Sequence, residues 1–220
     1  MHHFNVSSLK GCVNQLQPDK AVGVDGITKA DYEKNLDENL ENLVARMKSM
    51  AYRPAPVRQV LIPKEGKANT TRPLGISNFE DKIVQKMMQR VLQSIYEPLF
   101  LDCSYGFRPG KGCHDAIRAL HQHLYRNEVM TVIDVDVDLA SYFDSIDHRL
   151  LLDMLSNKIT DKRFIRYIVR MLKAGVLANG ELTLSDEGVP QGSVSSPVLA
   201  NVFAHDVIDI WFDQVVKRHW

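Results

Sequence analysis

The sequence predicts an α+β chain, mostly helical, with one β-hairpin and a small antiparallel sheet. Three observations predict it. Apolar residues recur at helical spacing through most of the chain. A short β-like run, VRQVLI (57–62), is followed by a polar tip and a returning RPLGI (72–76). Strand signals do not alternate with helices in the way a parallel βαβ sheet requires.

Taken in order, the stripe Leu36, Leu40, Leu43, Val44 and Met47 marks a helix from Lys29 to Met50. Tyr52-Arg-Pro-Ala-Pro56 ends it, because proline withholds the helical hydrogen bond. Pro63 closes the β-like run, and KEGKANTT (64–71) is its tip. Ser77-Asn-Phe-Glu80 has capping-box form and opens a helix whose inward residues are Ile83, Val84, Met87, Met88, Val91, Leu92 and Ile95, closed by Pro98. The loop SYGFRPGKG (104–112) leads into a helix expected to turn Ile117, Leu120 and Leu124 inward. Val129 to Leu139 (VMTVIDVDVDL) reads as a buried strand. Helices follow at Arg149–Ser156 and Asp161–Lys173, with a weaker strand over Glu181–Ser185. Pro197 then starts a helix with Val198, Leu199, Val202, Phe203 and Ile210 inward.

Composition narrows the class. The chain has 220 residues, 45% hydrophobic and 25% charged, enough to bury a core. It contains no run of 18 apolar residues, and MHHFNVSSLKGC lacks an apolar signal region, so neither a membrane span nor a secretory signal is expected. His2-His3 is set aside as resembling a tag remnant. Cys12, Cys103 and Cys113 form no CxxC pair, which fits a reducing compartment. The net charge of zero hides an asymmetry: from Arg46 to Arg118 there are 13 Lys and Arg against 6 acids, +7, and the remainder carries −7. The first part suits a polyanion; the second suits a metal or an ordinary acidic surface.

The sharpest local pattern is Asp134-Val-Asp136-Val-Asp138. Period two puts the three carboxylates on one strand face and Ile133, Val135 and Val137 on the other. Two readings are open: a solvated sheet face, or a carboxylate at a strand end that holds Mg²⁺ for phosphoryl chemistry. A calcium loop is excluded, because its sixth and twelfth positions would be Leu139 and Ser145 rather than Gly and Glu. Two-ion catalysis needs several carboxylates, so one Asp does not suffice. Cys113, His114, His121 and His123 have no zinc-ligand spacing.

VDLASYFDSIDH (137–148) resembles the first catalytic-Asp motif of reverse transcriptases, specifically those encoded by bacterial group II introns. AVGVDGIT (21–28), YRPAPVRQVLIPKEGKANTTRPLGI (52–76), DKIVQ (81–85), SYGFRPGKGCHDAI (104–117) and GVPQGSVSSPVLANVF (188–203) match the same family in order, over nearly the whole chain. The resemblance implies the fingers and part of the palm of a right-hand polymerase: an N-terminal extension over 1–28, fingers over 29–125 with the β-hairpin, and a partial palm over 126–220 with a small antiparallel sheet. The basic stretch then coincides with the fingers, and the acidic part includes the palm.

The same resemblance assigns roles. Asp138 is the catalytic metal-binding Asp, and the Leu139 carbonyl lies beside the second ion of a two-Mg²⁺ site; Asp134 and Asp136 are read as structural. Phe143 takes the place of the aromatic gate that leaves no room for a 2′-hydroxyl. Lys64 and Arg72 flank the hairpin tip and would close over a triphosphate, one as a point charge and one as a fork. Gln191 lies near the incoming sugar, and Gly192 allows close backbone approach. Arg58, Arg108 and Lys111 are template or RNA contacts, although the loop holding Arg108 and Lys111 reads equally as a fold-specific turn. Ala68-Asn-Thr-Thr71 lengthens the tip and GISN replaces the family's GIP, so Arg72 is the safer of the two cations. Lys64 also reads as a solvated turn lysine.

The family's second carboxylate pair, in a Y-A-D-D type hairpin, has no counterpart: no adjacent Asp-Asp occurs. The chain is therefore expected to be an N-terminal piece of a larger protein, unable to polymerise alone at any Mg²⁺ concentration. The implied partners are intron RNA or RNA template, DNA primer and deoxynucleotides, with a homodimer also open, in a bacterial cytoplasm and without a membrane. Two alternatives remain: an RNA-binding maturase module only, or a reverse transcriptase of the retron, diversity-generating or phage-defence kind.

Overall fold

The computed structural model describes residues 1–18, 20–63, 70–132, 134 and 142–218. Helix α1 (Val6–Gln15) starts at Asn5, whose side chain accepts the Ser8 N–H. It buries Leu9, Cys12 and Val13 against α3 and α4. Its last carbonyls are satisfied from a distance: Lys29 Nζ donates to Val13 O (3.0 Å) and Leu16 O (2.7 Å), a cation at the negative end of a helix.

The helix expected from Lys29 to Met50 is two helices, α2 (Lys29–Glu33) and α3 (Leu36–Lys48). Asn35 leaves the helical region at φ −126°, ψ 44°, and Asn39 Nδ2 reaches back to Tyr32 O (2.9 Å), so a side-chain amide takes a carbonyl at the break. The apolar stripe survives the break: Leu40, Leu43, Val44 and Met47 are buried.

Strands β1 (Val57–Pro63) and β2 (Thr71–Ile76) form the expected antiparallel hairpin, in register from Arg58↔Ile76 to Pro63↔Thr71. Among the described residues there is no separate antiparallel sheet. Instead β3 (Val176–Ala178) and β4 (Glu181–Thr183) pair with each other, and β3 lies parallel to β1, which gives one mixed sheet in the order β2-β1-β3-β4. The β3–β4 turn is Asn179-Gly180, both at positive φ (51° and 87°), the geometry that Asn-Gly favours in hairpins. Val57 N–H donates to Gly175 O (3.0 Å), which fixes β3 beside β1.

Helix α4 (Phe79–Tyr96) is the centre of the molecule and buries Ile83, Val84, Met88 and Leu92. Its expected capping box does not form. Asn78 is the N-cap, and its side chain accepts instead from the Val24 (2.9 Å) and Asp25 (3.4 Å) amides. Glu80 binds Arg46 (2.6 Å) and Tyr32 (3.3 Å). Helices α6 (His148–Ser156), α7 (Lys162–Leu172) and α8 (Ser196–Ala204) complete the core, and α8 continues into π-helical turns over His205–Asp209 and Phe212–Val216. One hydrophobic cluster joins Leu9, Leu43, Ile83, Leu155, Ile168 and Val202.

Two expectations fail around α5 (Cys113–Arg126). It buries no residue, and Ile117, Leu120 and Leu124 are exposed, since periodicity marks an apolar face without supplying an element to cover it. In the segment read as a buried strand, residues 129–132 have no regular structure and expose Val129, Met130 and Val132. Residues 133 and 135–139 lie outside the described residues.

Asp81 is the most unusual group in the core. Buried on α4, it accepts the Tyr52 hydroxyl and the Ala55 N–H (3.1 Å), pinning the proline-rich crossover between α3 and β1. Burial pushes its carboxyl up to about 6 despite these bonds. A raised carboxyl pKa contributes stability below its ordinary value, and that contribution is lost as pH rises through about 6. Between pH 4 and pH 7 the native chain is therefore expected to lose about 2–3 kcal/mol from this group. Asp81→Asn should flatten that difference when urea midpoints are compared across the range; identical slopes in the two proteins would contradict it.

Candidate functional site

Two segments far apart in sequence meet at residues 188–193. The first is the end of β2. Gly75 N–H donates to Gln191 O (2.6 Å), and the fit is close enough that a Cβ on Gly192 would lie 2.6 Å from Gly75 O and 2.7 Å from Leu74 Cδ1. Gly192 also sits at φ +98°, so both space and backbone conformation call for glycine. The second segment is 142–147, opened by a 3₁₀ turn over Tyr142–Asp144. Val189 N–H donates to Phe143 O (2.6 Å), Gly188 N–H to Ile146 O (2.8 Å), and Asp147 bridges to Glu187. His148 secures the far side through Nε2 and Gly188 O (2.6 Å), so that nitrogen carries the proton.

Gln191 is held at both ends. Its carbonyl receives Gly75, and its side-chain Nε2 donates to Asp144 Oδ2 (3.1 Å) and Oδ1 (3.3 Å). With the amide nitrogen directed at a carboxylate, Oε1 faces the opposite way as an acceptor. Phe143 is half-buried and meets Phe107 edge-on at 6.1 Å and Tyr142 at 5.9 Å. Tyr142 OH anchors the segment on α8 through Ala200 O (2.7 Å). Arg72 is exposed on β2 opposite Ile62, and strand alternation puts it on the same face as Leu74, the residue against Gly192.

Lys64, Asp138 and Leu139 lie outside the described residues. Arg58 is turned to Val22 O (3.1 and 2.7 Å), holding the 21–28 loop on β1. Gly23 of that loop is pressed against Asn78, where a Cβ would come within 2.1 Å. Arg108 is buried: its guanidinium reaches Glu97 Oε1 (2.9 Å), Leu101 O (2.5 Å) and Ser104 O (2.8 Å), so it is the anchor of its own loop. Lys111 donates to Asp102 O (2.9 Å) and lies over the Tyr105 ring at 5.4 Å. Asp144, Gly75, Gly188, Asn78 and His148 were missed. For Asp144 the available signal was its place directly after Phe143.

Behind Gly75 and Gly192 lies a cavity of about 380 Å³, walled by Leu16, Ile27, Leu74, Ile76 and Phe79 with Lys20, Lys29 and Lys82. Burial lowers the Lys82 pKa, and its Nζ donates to Ala21 O (2.7 Å). Among the described residues no group of three or more His, Cys, Asp or Glu side chains could hold a metal ion, and Asp138 lies outside those residues. No described helix is long and apolar enough to cross a membrane.

The turn that carries Gln191 and Gly192 thus lies against the end of β2, with Phe143 and Asp144 beside it. The chain belongs to the reverse transcriptase family: the family pattern described as reverse transcriptase (RNA-dependent DNA polymerase) matches residues 62–218. Within that family two of the relatives described next carry an intron in their names. It is 34% identical over 192 residues to the group II intron-encoded protein LtrA of Lactococcus lactis subsp. cremoris, which covers 87% of this chain and 31% of that protein. It is 37% identical over 199 residues to protein YkfC of Escherichia coli (strain K12), covering 90% of the chain and 50% of YkfC. An uncharacterized 91 kDa protein in the cob intron of Schizosaccharomyces pombe is 39% identical over 168 residues, 76% of the chain and 20% of that protein. The chain thus spans a third to a half of the length of the first two, and a fifth of the third.

Proposed function

We propose that the whole protein is an RNA-directed DNA polymerase and maturase of a group II intron, and that residues 142–144, 188–193 and the β1–β2 hairpin form its nucleotide side. The observation that carries this is the double hold on Gln191, by Gly75 through the backbone and by Asp144 through the side chain. In this reading Oε1 accepts a hydrogen bond from a sugar hydroxyl of the incoming nucleotide, and Arg72 meets its phosphates. Phe143 closes the space a 2′-hydroxyl would need. Asp138 and the Leu139 carbonyl would hold Mg²⁺, whose charge, when bound, offsets that developing on the attacking 3′-oxygen and leaving pyrophosphate. The Lys-lined cavity behind Gly192 gives a template strand an apolar wall with cationic margins. Without an Asp-Asp pair the 220-residue chain is expected to bind nucleotides but not to join them. Intron RNA, primer DNA and RNA template are the proposed partners, in support of splicing and mobility.

Equilibrium binding of dTTP and UTP with Mg²⁺ tests it. The wild-type chain should prefer dTTP, and Phe143→Ala should raise UTP affinity about tenfold, a gain of about 1.4 kcal/mol. No nucleotide binding, or an unaltered preference in the variant, would sink the assignment. Asp144→Asn lets the Gln191 amide flip, so dTTP affinity should drop about three- to tenfold with UTP discrimination kept. An unchanged affinity would show that Asp144 does not orient Gln191.

A further inference from the structure

Helix α7 carries a charged face that the nucleotide side does not use. Lys162, Arg163, Arg166 and Arg170 on the helix, with Lys173 at its C-cap, fall within an arc of about 100° at 3.6 residues per turn. Phe164, Tyr167, Ile168 and Leu172 occupy the opposite arc and are buried. The cations span roughly 16 Å at 1.5 Å per residue. From residue 158 to 173 the only acid is Asp161, against Lys158 and the five cations just named. Asp161 is spent as the N-cap of α7 and as the partner of the Met1 ammonium. Lys173 pairs with Asp186 (3.0 Å), and Arg170 Nη1 donates to Met50 O and Tyr52 O (both 2.9 Å). Lys162, Arg163 and Arg166 are exposed, and among the described residues their side chains make no ion pair. This face lies inside the part of the sequence whose total charge is negative, so counting charge along the chain conceals it.

We propose that the outer face of α7 docks the phosphate backbone of double-stranded RNA, at a surface distinct from the PQG turn. The proposal rests on the polymerase–maturase reading only for taking nucleic acid as the partner. Three features select the class. Guanidinium groups match phosphate oxygens as planar forks. The face presents no aromatic ring on which a single strand would stack its bases. It also presents no apolar side chain between the cations, which a helix lying in an anionic membrane surface would bury. Duplex RNA is recognised largely through its shape and its phosphates, and a rigid row of cations suits that.

The test is binding of the 220-residue chain to a labelled RNA duplex of about 20 base pairs across a salt series, with Arg163→Gln/Arg166→Gln as the variant. Both positions are exposed, and unaltered thermal melting confirms the fold. At about 0.1 M salt the double variant should bind about tenfold more weakly, and the slope of log K against log salt should fall by about two, one for each phosphate contact removed. Arg163→Lys/Arg166→Lys should keep the wild-type slope. Lys10→Gln/Lys34→Gln, removing exposed cations elsewhere, should change neither quantity. An unchanged slope in the glutamine variant overturns the proposal, as does absence of duplex binding by the wild type or tighter binding to phosphatidylserine vesicles than to the duplex. dTTP binding by the same variants separates the two ideas. Loss of duplex affinity with dTTP affinity intact supports α7 docking. If the wild type bound the duplex through α7 yet bound no dTTP, only the nucleotide side would be refuted.

Discussion

Arg108→Ala is expected to lower folding stability by about 3 kcal/mol, the cost of removing a buried guanidinium from a half-buried carboxylate and two backbone carbonyls. The magnitude follows from what the guanidinium satisfies. Arg108 is 7% exposed, and it neutralises Glu97 while also filling the carbonyls of Leu101 and Ser104. Glu97 Oε2 already has no hydrogen-bond partner, so losing Arg108 strands the whole carboxylate. The ring of Phe100, 5.4 Å beneath the guanidinium, loses its cation as well. Urea unfolding of the variant against the wild type measures the effect, and the salt dependence of RNA binding should stay the same. A stable variant whose salt slope fell by one would instead make Arg108 a phosphate contact.

Gly192→Ala should be nearly as costly, and in a more local way. The added methyl would lie 2.6 Å from Gly75 O, part of the backbone of β2, and the φ of +98° disfavours alanine independently. Gly180 provides the control: its φ is +87°, and a Cβ there meets nothing within 4 Å. Gly180→Ala should cost about 1 kcal/mol and leave nucleotide binding alone. Gly192→Ala should cost about 3 kcal/mol or break the Gly75–Gln191 hydrogen bond, with dTTP binding lost in either case. Equal effects at the two glycines would mean that the close approach of the turn to β2 has no consequence.

Much of the fold was legible because burial leaves a period. The stripes on α3, α4 and α8 are where apolar spacing puts them. Punctuation was less legible. The break at Asn35 depends on Asn39 bonding back to Tyr32, which no spacing announces. β3 is three residues long and its partner β1 lies more than a hundred residues earlier, so no local pattern joins them. Arg108 in a glycine-rich loop reads as a phosphate contact or as an anchor, and only the position of Glu97, eleven residues back, decides. The site was legible through likeness rather than physics. Motif order set Phe143, Gln191 and Gly192 apart, but their convergence on Gly75 is a tertiary fact, as is the choice of Asp144 as the Gln191 partner.

The two-sided pairing of β1 has a mechanical consequence. Because β1 is laced to β2 along its length and to β3 at Val57 and Arg58, the hairpin has no free pivot at its root. Gly75 adds a second fastening to the PQG turn. Any motion of the paired strands must therefore be elastic flexure beyond Arg58, like a diving board clamped at one end. The stiffness of that board is set where the strand leaves β3.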